Sequence, residues 1–244
     1  MKIDNFLLLS GEDIPLTSSN IIIHNPTIQE LAQVFLDETS FLTGFEFLFF
    51  SKMKLDKNEQ QILSELSDFE VLLTLLSMTN SSPMKQQLDC LKKFFLLLFE
   101  DYNIEYRKEN IVLTKNKHMI IIDEYLFNEI KEVINQMFPF KKKEGIDFNP
   151  QSERAKKIAE KIKKGREKLQ KKKAAEGQSD SLFEKYISIL CIGLNISIKE
   201  LYQCTVYQLL NMFERYEKKE VYDVHLKAQL AGATGMKEVD HWMM

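Results

Sequence analysis

Cysteine is scarce in this chain, and the positions of the cysteines argue against both disulfide bonds and a zinc site. The 244 residues contain three cysteines, Cys90, Cys191 and Cys204, and no two of them form a CxxC pair. An odd number of widely separated cysteines argues against a disulfide framework and against a zinc site of the usual ligand spacing. The sequence therefore predicts a protein of a reducing compartment.

Long hydrophobic runs are also missing. The first residues, MKIDNFLLLSGED, contain only four consecutive apolar residues before acids follow, which is too few for the apolar region of a signal peptide. The longest apolar run, residues 94–99, is far shorter than the roughly 20 residues that cross a bilayer. We therefore expect an intracellular protein with no membrane partner.

Glycine and histidine lack the spacings that enzymes use. None of the eight glycines falls in GxGxxG or GxxxxGK[ST], so no phosphate-binding loop is predicted. The four histidines, His24, His118, His225 and His241, are scattered, and none lies in HExxH or beside a cysteine at ligand spacing. We expect no catalytic residues, no metal and no cofactor, and thus a protein that is not an enzyme.

Charge is abundant and unevenly distributed. Residues 141–173 contain 14 Lys/Arg and 5 Asp/Glu, whereas the remaining chain contains 19 basic and 31 acidic residues. A basic segment within an acidic protein can find its counter-charge on the same chain, on a second copy or on a partner. The residues that form this basic patch are Arg154, Lys156, Lys157, Lys161, Lys163, Lys164, Arg166, Lys168, Lys171, Lys172 and Lys173.

The basic segment has the spacing of an amphipathic helix. Ala155, Ile158, Ile162 and Leu169 recur at helical intervals and form a thin apolar seam, with lysines on the other faces. No Phe, Tyr, Trp, Asn or His lies between residues 151 and 173, so bases would find no stacking partner there. The pattern favours a solvated helix that docks on protein, and sequence-independent binding of nucleic acid remains the alternative.

The first part of the chain reads as mixed α and β structure. Residues 3–9 and 20–24 are predicted to be short strands that flank a turn. Thr27 and Glu30 have the spacing of a capping box, which predicts the start of a helix.

Helical spacing of apolar residues then continues from 40 to about 102, with a break at 80–83. Residues 111–123 are β-branched on both sides of a polar four-residue turn, which predicts a hairpin. Residues 124–137 are again helical, and we place the end of an α+β domain, 1–138, just after them. The overall fold class is therefore α+β and mostly helical.

The remainder is predicted to be helical. Residues 139–179 form a linker that contains the basic amphipathic helix, and residues 180–244 form a small all-α domain. Within that domain Asp180 is the predicted cap of one helix, Ser197 opens a capping box, and a long helix begins at about Thr205.

The last residues contain the only tryptophan, Trp242, between His241 and two methionines. An indole is costly to leave in water. We therefore expect Trp242 either to fold back onto the C-terminal helices or to anchor a partner, as Trp often does at interfaces.

The C-terminal two-fifths of the chain resembles a known family. The stretches DFNPQSERAKKIAEKIKKGREK, YISILCIGLNISIKELYQCTVYQLLNMFERY, YDVHLKAQLAGATG and DHWM, within residues 147–244, are similar to tail assembly chaperone-like proteins. These come from tailed bacteriophages that infect Gram-positive bacteria. The N-terminal part matches that family only in general style, with short strands that open into helices.

The resemblance implies a non-enzymatic role in phage tail morphogenesis. Such a chaperone binds the tape measure protein, keeps it in solution and helps tail tube subunits polymerise around it. It acts in the host cytoplasm and is absent from the mature virion. By this resemblance Ala155, Ile158, Ile162, Leu169 and Trp242 are candidate partner-binding residues, and the chaperone is a candidate homo-oligomer. The alternatives are a nucleic-acid-binding protein that uses the Lys-rich helix and a structural tail or baseplate component.

Overall fold

The computed structural model describes residues 2–50, 66–77, 85–140 and 181–232, with 239 and 241–243. These residues form an α+β fold that is mostly helical, which confirms the predicted fold class. The helices are α1 (Asn5–Ser10), α2 (Ile28–Val34), α3 (Glu38–Phe50), α4 (Asp68–Ser77), α5 (Lys85–Leu98), α6 (Glu124–Met137), α7 (Leu182–Leu194), α8 (Ile198–Tyr202) and α9 (Val206–Leu230). The strands are β1 (Ile14–Leu16), β2 (Ile21–Ile23), β3 (Asn103–Tyr106), β4 (Ile111–Lys115) and β5 (His118–Ile122).

The predicted strand at residues 3–9 is wrong, because this stretch forms α1. The side chain of Asp4 accepts a hydrogen bond from the amide of Phe6 at 2.7 Å and caps the helix. Gly11 ends it in a left-handed conformation, with φ of 79°. A capped turn that closes on a glycine thus overrides the strand-like run of apolar residues.

The strand predicted at 20–24 is confirmed as β2, and its partner is β1. The two pair antiparallel, with Ile14 opposite Ile23 and Leu16 opposite Ile21. All four of these side chains are buried, whereas Pro15 and Ile22 between them are exposed. The alternation places one face of this small sheet in the core.

The predicted hairpin at 111–123 is confirmed by β4 and β5, which pair antiparallel. Asn116 and Lys117 form a two-residue turn with φ of 50° and 70°, so His118 begins β5 and lies outside the turn. A third strand, β3, pairs with β4 on its other side and was not predicted. Its sequence, NIEY, has too few apolar residues to give a strand signal of its own.

Helix starts follow the predicted caps with one exception. Thr27 with Glu30, and Ser197 with Glu200, form complete capping boxes at α2 and α8. The cap of α7 is Ser181, whose hydroxyl accepts a hydrogen bond from the amide of Glu184, and not Asp180 as predicted.

Phenylalanine dominates the centre of the core. Phe41 of α3 has ring neighbours from four other segments of the chain, with centroids 5.6–6.1 Å away: Phe35, Phe94, Phe138, Phe140 and Phe183. Aromatic rings at these separations stabilise the fold by more than the burial of their apolar surface alone. Phe41 therefore joins helices from both ends of the chain.

The C-terminal helices pack on the N-terminal part of the molecule. Thr27 and Thr205 form an isolated bridge, and the amide of Ile28 donates to the carbonyl of Cys204 at 2.9 Å. Gln208 donates to the carbonyl of Leu9 at 2.8 Å. The buried residues of α7, α8 and α9 belong to the same hydrophobic cluster as those of α1–α6. The division into domains 1–138 and 180–244 stays a prediction, but the described residues on both sides share one core.

Candidate binding groove

An open apolar groove of about 510 Å³ lies where α2, the start of α3, α7 and α8 meet. Its floor is formed by buried side chains of α2, α3 and α7: Ile28, Leu31, Phe35, Phe41, Phe183 and Ile187. Its walls carry three apolar side chains that face solvent: Leu36, Ile198 and Tyr202. This volume lies within the range of protein binding clefts.

One wall follows from the way α2 ends. The capping box starts α2 so that Ile28 and Leu31 face inward, and Phe35 then leaves the helix in an extended conformation and stays buried. The next residue, Leu36, is consequently turned outward and is 94% exposed. Asp37 then accepts hydrogen bonds from the amide and hydroxyl of Ser40 at 2.7 and 3.0 Å, which starts α3.

The second wall is the first turn of α7, held by a residue of α3. The carboxylate of Glu38 accepts hydrogen bonds from the amides of Leu182 and Phe183 at 2.8 and 3.2 Å and from the hydroxyl of Ser181. A carboxylate at this position satisfies free amides and complements the positive end of the helix dipole. Glu38 therefore fixes α7 against the groove.

The third wall is the short helix α8. Its capping box at Ser197 leaves Ile198 at the first helical position, where the side chain is 59% exposed. Ile198 and Tyr202 also border a second concavity of about 400 Å³ that is lined by Gln29, Lys199 and Gln203. These two side chains therefore form an apolar ridge between adjacent depressions.

The rim of the groove is acidic. Asp37, Glu38 and Glu184 supply three carboxylates, and none of the described residues that line the groove is Lys or Arg. A groove with an apolar floor and an acidic rim is suited to a segment whose apolar face is flanked by basic side chains.

A histidine close to α2 has acidic neighbours that the sequence did not reveal. The Nδ1 atom of His24 lies 2.9 Å from Asp13 and 3.7 Å from Glu100, and Nε2 lies 3.5 Å from Glu30. These carboxylates come from three separate stretches of the chain. In the part of the chain that the structure describes, no group of three or more His, Cys, Asp or Glu residues is arranged to hold a metal ion.

Cys90 is buried, and Cys191 and Cys204 are partly buried. Burial raises the pKa of the Cys90 thiol and of the Cys204 thiol, so both favour the protonated form. The Sγ of Cys204 lies 3.5 Å from the carbonyl oxygen of Glu200. These two thiols therefore lack the lowered pKa of reactive cysteines.

The predicted partner-binding seam and basic patch lie outside the described residues. This applies to Ala155, Ile158, Ile162 and Leu169 and to every basic residue from Arg154 to Lys173. Trp242 is described and is partly buried beside His241, at a ring distance of 5.9 Å. His241 in turn meets Tyr222 of α9 at 4.8 Å, so this end of the chain lies against α9.

The groove itself was not predicted, because its parts are far apart in the sequence. The available signals were local: an apolar Leu36 directly after the end of a helix, and an apolar Ile198 directly after a capping serine. Each is ordinary when taken singly, since exposed apolar side chains are common on protein surfaces. Only the fold brings them together.

The helices α7 and α8, which form two walls of the groove, lie in a part of the chain that is similar to a known protein family. Residues 171–244 match the sequence model of the YomV second domain, a Bacillus phage-type protein family. We refer to residues 171–244, which are similar to that domain, as the YomV-like region. The YomV-like region includes α7, α8 and α9, and thus Phe183, Ile187, Ile198 and Tyr202 of the groove. No curated protein and no solved structure matches the chain. None of the described helices is both long and apolar enough to cross a membrane.

Proposed function

We propose that this protein is a non-enzymatic tail assembly chaperone that binds an amphipathic helix of a phage tape measure protein. The observation that carries the proposal is the open groove, which has a buried apolar floor and exposed apolar walls. The phage-type family match supports the phage context, and the resemblance to tail assembly chaperones supports the choice of partner.

Binding of a helix in such a groove follows known physical chemistry. Apolar side chains at positions i, i+3, i+4 and i+7 of the partner would leave water and pack on the floor between Leu36 and Ile198. The long apolar-faced helices of a tape measure protein would otherwise expose those side chains before the tail tube forms. We place this activity in the host cytoplasm, and tail tube subunits are a second proposed partner.

Two substitutions test the groove directly. Leu36→Asp with Ile198→Asp places charges on walls that are already 94% and 59% exposed, so folding should be little affected. Because each lost apolar contact is worth about 1.5–3 kcal/mol, the pair should weaken binding at least about 100-fold. The measurement is co-purification and titration with a tape measure fragment from the same phage.

The matched control also changes two exposed apolar residues to aspartate. Phe6→Asp with Tyr125→Asp alters side chains that are 82% and 78% exposed on α1 and α6, away from the groove. This variant should bind normally. Equal binding by the groove variant and the control, with both folded, would contradict the assignment of the groove.

A virion component is present in the finished phage particle, whereas an assembly chaperone is not. The proposal predicts that mass spectrometry of purified phage particles detects tube and tape measure proteins but not this chain. Its presence at a fixed copy number per particle would instead indicate a structural tail or baseplate component.

A further inference from the structure

The strand β5 lies at one edge of the three-stranded sheet. The strand order is β3–β4–β5, and in the part of the chain that the structure describes no strand pairs with the side of β5 that faces away from β4. Lys115 is opposite His118 across the two-residue turn. Residues that flank such a turn form a hydrogen-bonded pair, and every second pair along the ladder is of this kind. The backbone amides and carbonyls of Met119 and Ile121 therefore point away from β4.

The exposed side chains along this edge are apolar. Met119 and Ile121 are 58% and 49% exposed and lie on the same face of the sheet. Proteins commonly protect an exposed edge with a charged side chain, a proline or a bulge, because an unprotected edge pairs with another strand. From Met119 to Ile122, β5 has no charged residue and no proline, and its register with β4 contains no bulge. This edge is thus open to a further strand.

The opposite edge of the same sheet carries charges instead. Glu105 of β3 is exposed, and its carboxylate forms an ion pair with the guanidinium of Arg107 at 2.8 Å. Charged side chains on an edge strand oppose the approach of another strand, which would have to remove them from water. The contrast between the two edges indicates that β5, and not β3, is the strand that another chain can extend.

The charges at the two ends of β5 favour a second copy of the same strand. Lys117 precedes β5 and Asp123 follows it, and both are exposed. In an antiparallel pair of identical strands, residues with outward backbone groups lie opposite one another. Placing Met119 opposite Ile121 of the second copy also places Lys117 opposite its Asp123. The two neighbouring registers would instead place Lys117 opposite Ile121, or Met119 opposite Asp123.

We propose that β5 pairs antiparallel with β5 of a second copy of this chain and so joins the two three-stranded sheets into one sheet of six strands. Met119 of each copy packs against Ile121 of the other, and Lys117 faces Asp123 at both ends. An edge of five residues buries little area, so the dimer is weak and its population depends on concentration. This self-association goes beyond the proposed chaperone function and requires no tape measure protein.

Sedimentation velocity of the full chain between about 1 and about 500 μM tests the dimer, since small interfaces are typical of weak complexes. We expect a monomer at the lowest concentration and a growing dimer fraction above it. Met119→Glu and Ile121→Lys, each examined alone, place a charge opposite an apolar side chain. Because the two-fold symmetry repeats this contact, each variant should weaken dimerisation at least about tenfold.

An equimolar mixture of the two variants tests the register. In the mixed dimer the carboxylate introduced at position 119 lies opposite the ammonium introduced at position 121, and the second symmetric contact keeps its Met and Ile side chains. The mixture should therefore dimerise within about threefold of the unmodified chain. Such a rescue also shows that both variants are folded.

The matched controls are Val224→Glu and Leu230→Lys on α9, where the side chains are 62% and 80% exposed. They should leave dimerisation unchanged. The proposal is overturned by an unmodified chain that stays monomeric at every concentration, by a dimer that the β5 variants do not weaken or the α9 variants do, or by a mixture that is not restored. None of these measurements includes the tape measure protein, so they can fail while the groove still binds its helix, and the reverse.

Discussion

At the scale of single residues, short polar side chains determine where the helices begin. Thr27, Ser197 and Thr205 each form a complete capping box with the residue three positions later. Asn195 ends α7 in a left-handed conformation, with φ of 55°. The last three lie within residues 171–244, which match the YomV second domain, so part of that similarity reflects local folding and carries no information about a partner.

Glu30 links one of these caps to the acid stability of the protein. Burial acts to raise its pKa, but hydrogen bonds from the amide and hydroxyl of Thr27, at 2.7 and 2.8 Å, and the proximity of His24 outweigh it. The pKa of Glu30 is therefore lowered from its ordinary value of 4.5. Because the folded state favours the ionised form, this group stabilises the fold above about pH 4.5, and the contribution is lost as the pH falls through the lowered pKa.

Glu30→Gln should retain the geometry of the capping box and lose the charge. We expect the free energy of unfolding at pH 7 to fall by about 0.5–1.5 kcal/mol, and the difference from the unmodified protein to shrink towards pH 3. Urea titrations across this pH range provide the measurement, with Glu109→Gln in the exposed turn between β3 and β4 as the control. A difference that stays constant with pH would show that the charge of Glu30 is not responsible.

At the scale of elements, the periodicity of apolar residues and the turn residues were sufficient to predict a helix or hairpin where the segment carries its own apolar face. Residues 124–137 have helical spacing and form α6, and 111–123 have β-branched residues on both sides of a turn and form β4 and β5. The prediction failed at β3 because this strand depends on its hydrogen bonds to β4, which are a tertiary feature. It failed at α1 because a local cap and Gly11 outweigh the strand-like run of apolar residues. The groove could not be predicted, since it requires α2, α7 and α8 to meet.

The packing of α3 against α5 depends on a residue without a side chain. A Cβ atom at Gly44 would lie 2.7 Å from the backbone carbonyl oxygen of Cys90, which cannot move without shifting α5. Gly44→Ala should therefore destabilise the protein by about 1–3 kcal/mol, despite the gain of about 1 kcal/mol that alanine brings within a helix. Chemical denaturation measures the effect.

A second position on α3 serves as the control for Gly44→Ala. Thr39 is exposed, and Thr39→Ala should change stability by less than about 0.5 kcal/mol. A Gly44→Ala variant as stable as the unmodified protein would mean that the two helices do not approach as closely as the structure indicates.

At the scale of the whole molecule, α9 connects the shared core to an exposed surface. Its first turns bury Val206 and Leu209, and Phe213 stacks on Tyr186 of α7 with centroids 4.1 Å apart. Its last turns carry Val221, Val224, Leu226 and Leu230, which are all exposed. The buried residues of α9 thus lie at its start, and further along the helix Tyr222 contacts the ring of His241.

The shared core makes a prediction about cooperativity that the two-domain interpretation of the sequence does not. Leu190 of α7 and Ile14 of β1 are both fully buried, and their helix and sheet belong to one hydrophobic cluster. Leu190→Ala and Ile14→Ala should each cost about 2–5 kcal/mol and should shift the same single unfolding transition, followed by circular dichroism in urea.

Exposed Ser188→Ala on α7 is the control for this experiment and should leave the midpoint within about 0.5 kcal/mol of the unmodified protein. Independent domains would instead give two transitions, with Leu190→Ala lowering only one of them and Ile14→Ala only the other. A single shared shift would mean that the YomV-like region is stable because it rests on the N-terminal helices. In that case the groove lies between two parts of the chain that fold together, and a partner that binds there contacts both the N-terminal helices and the YomV-like region.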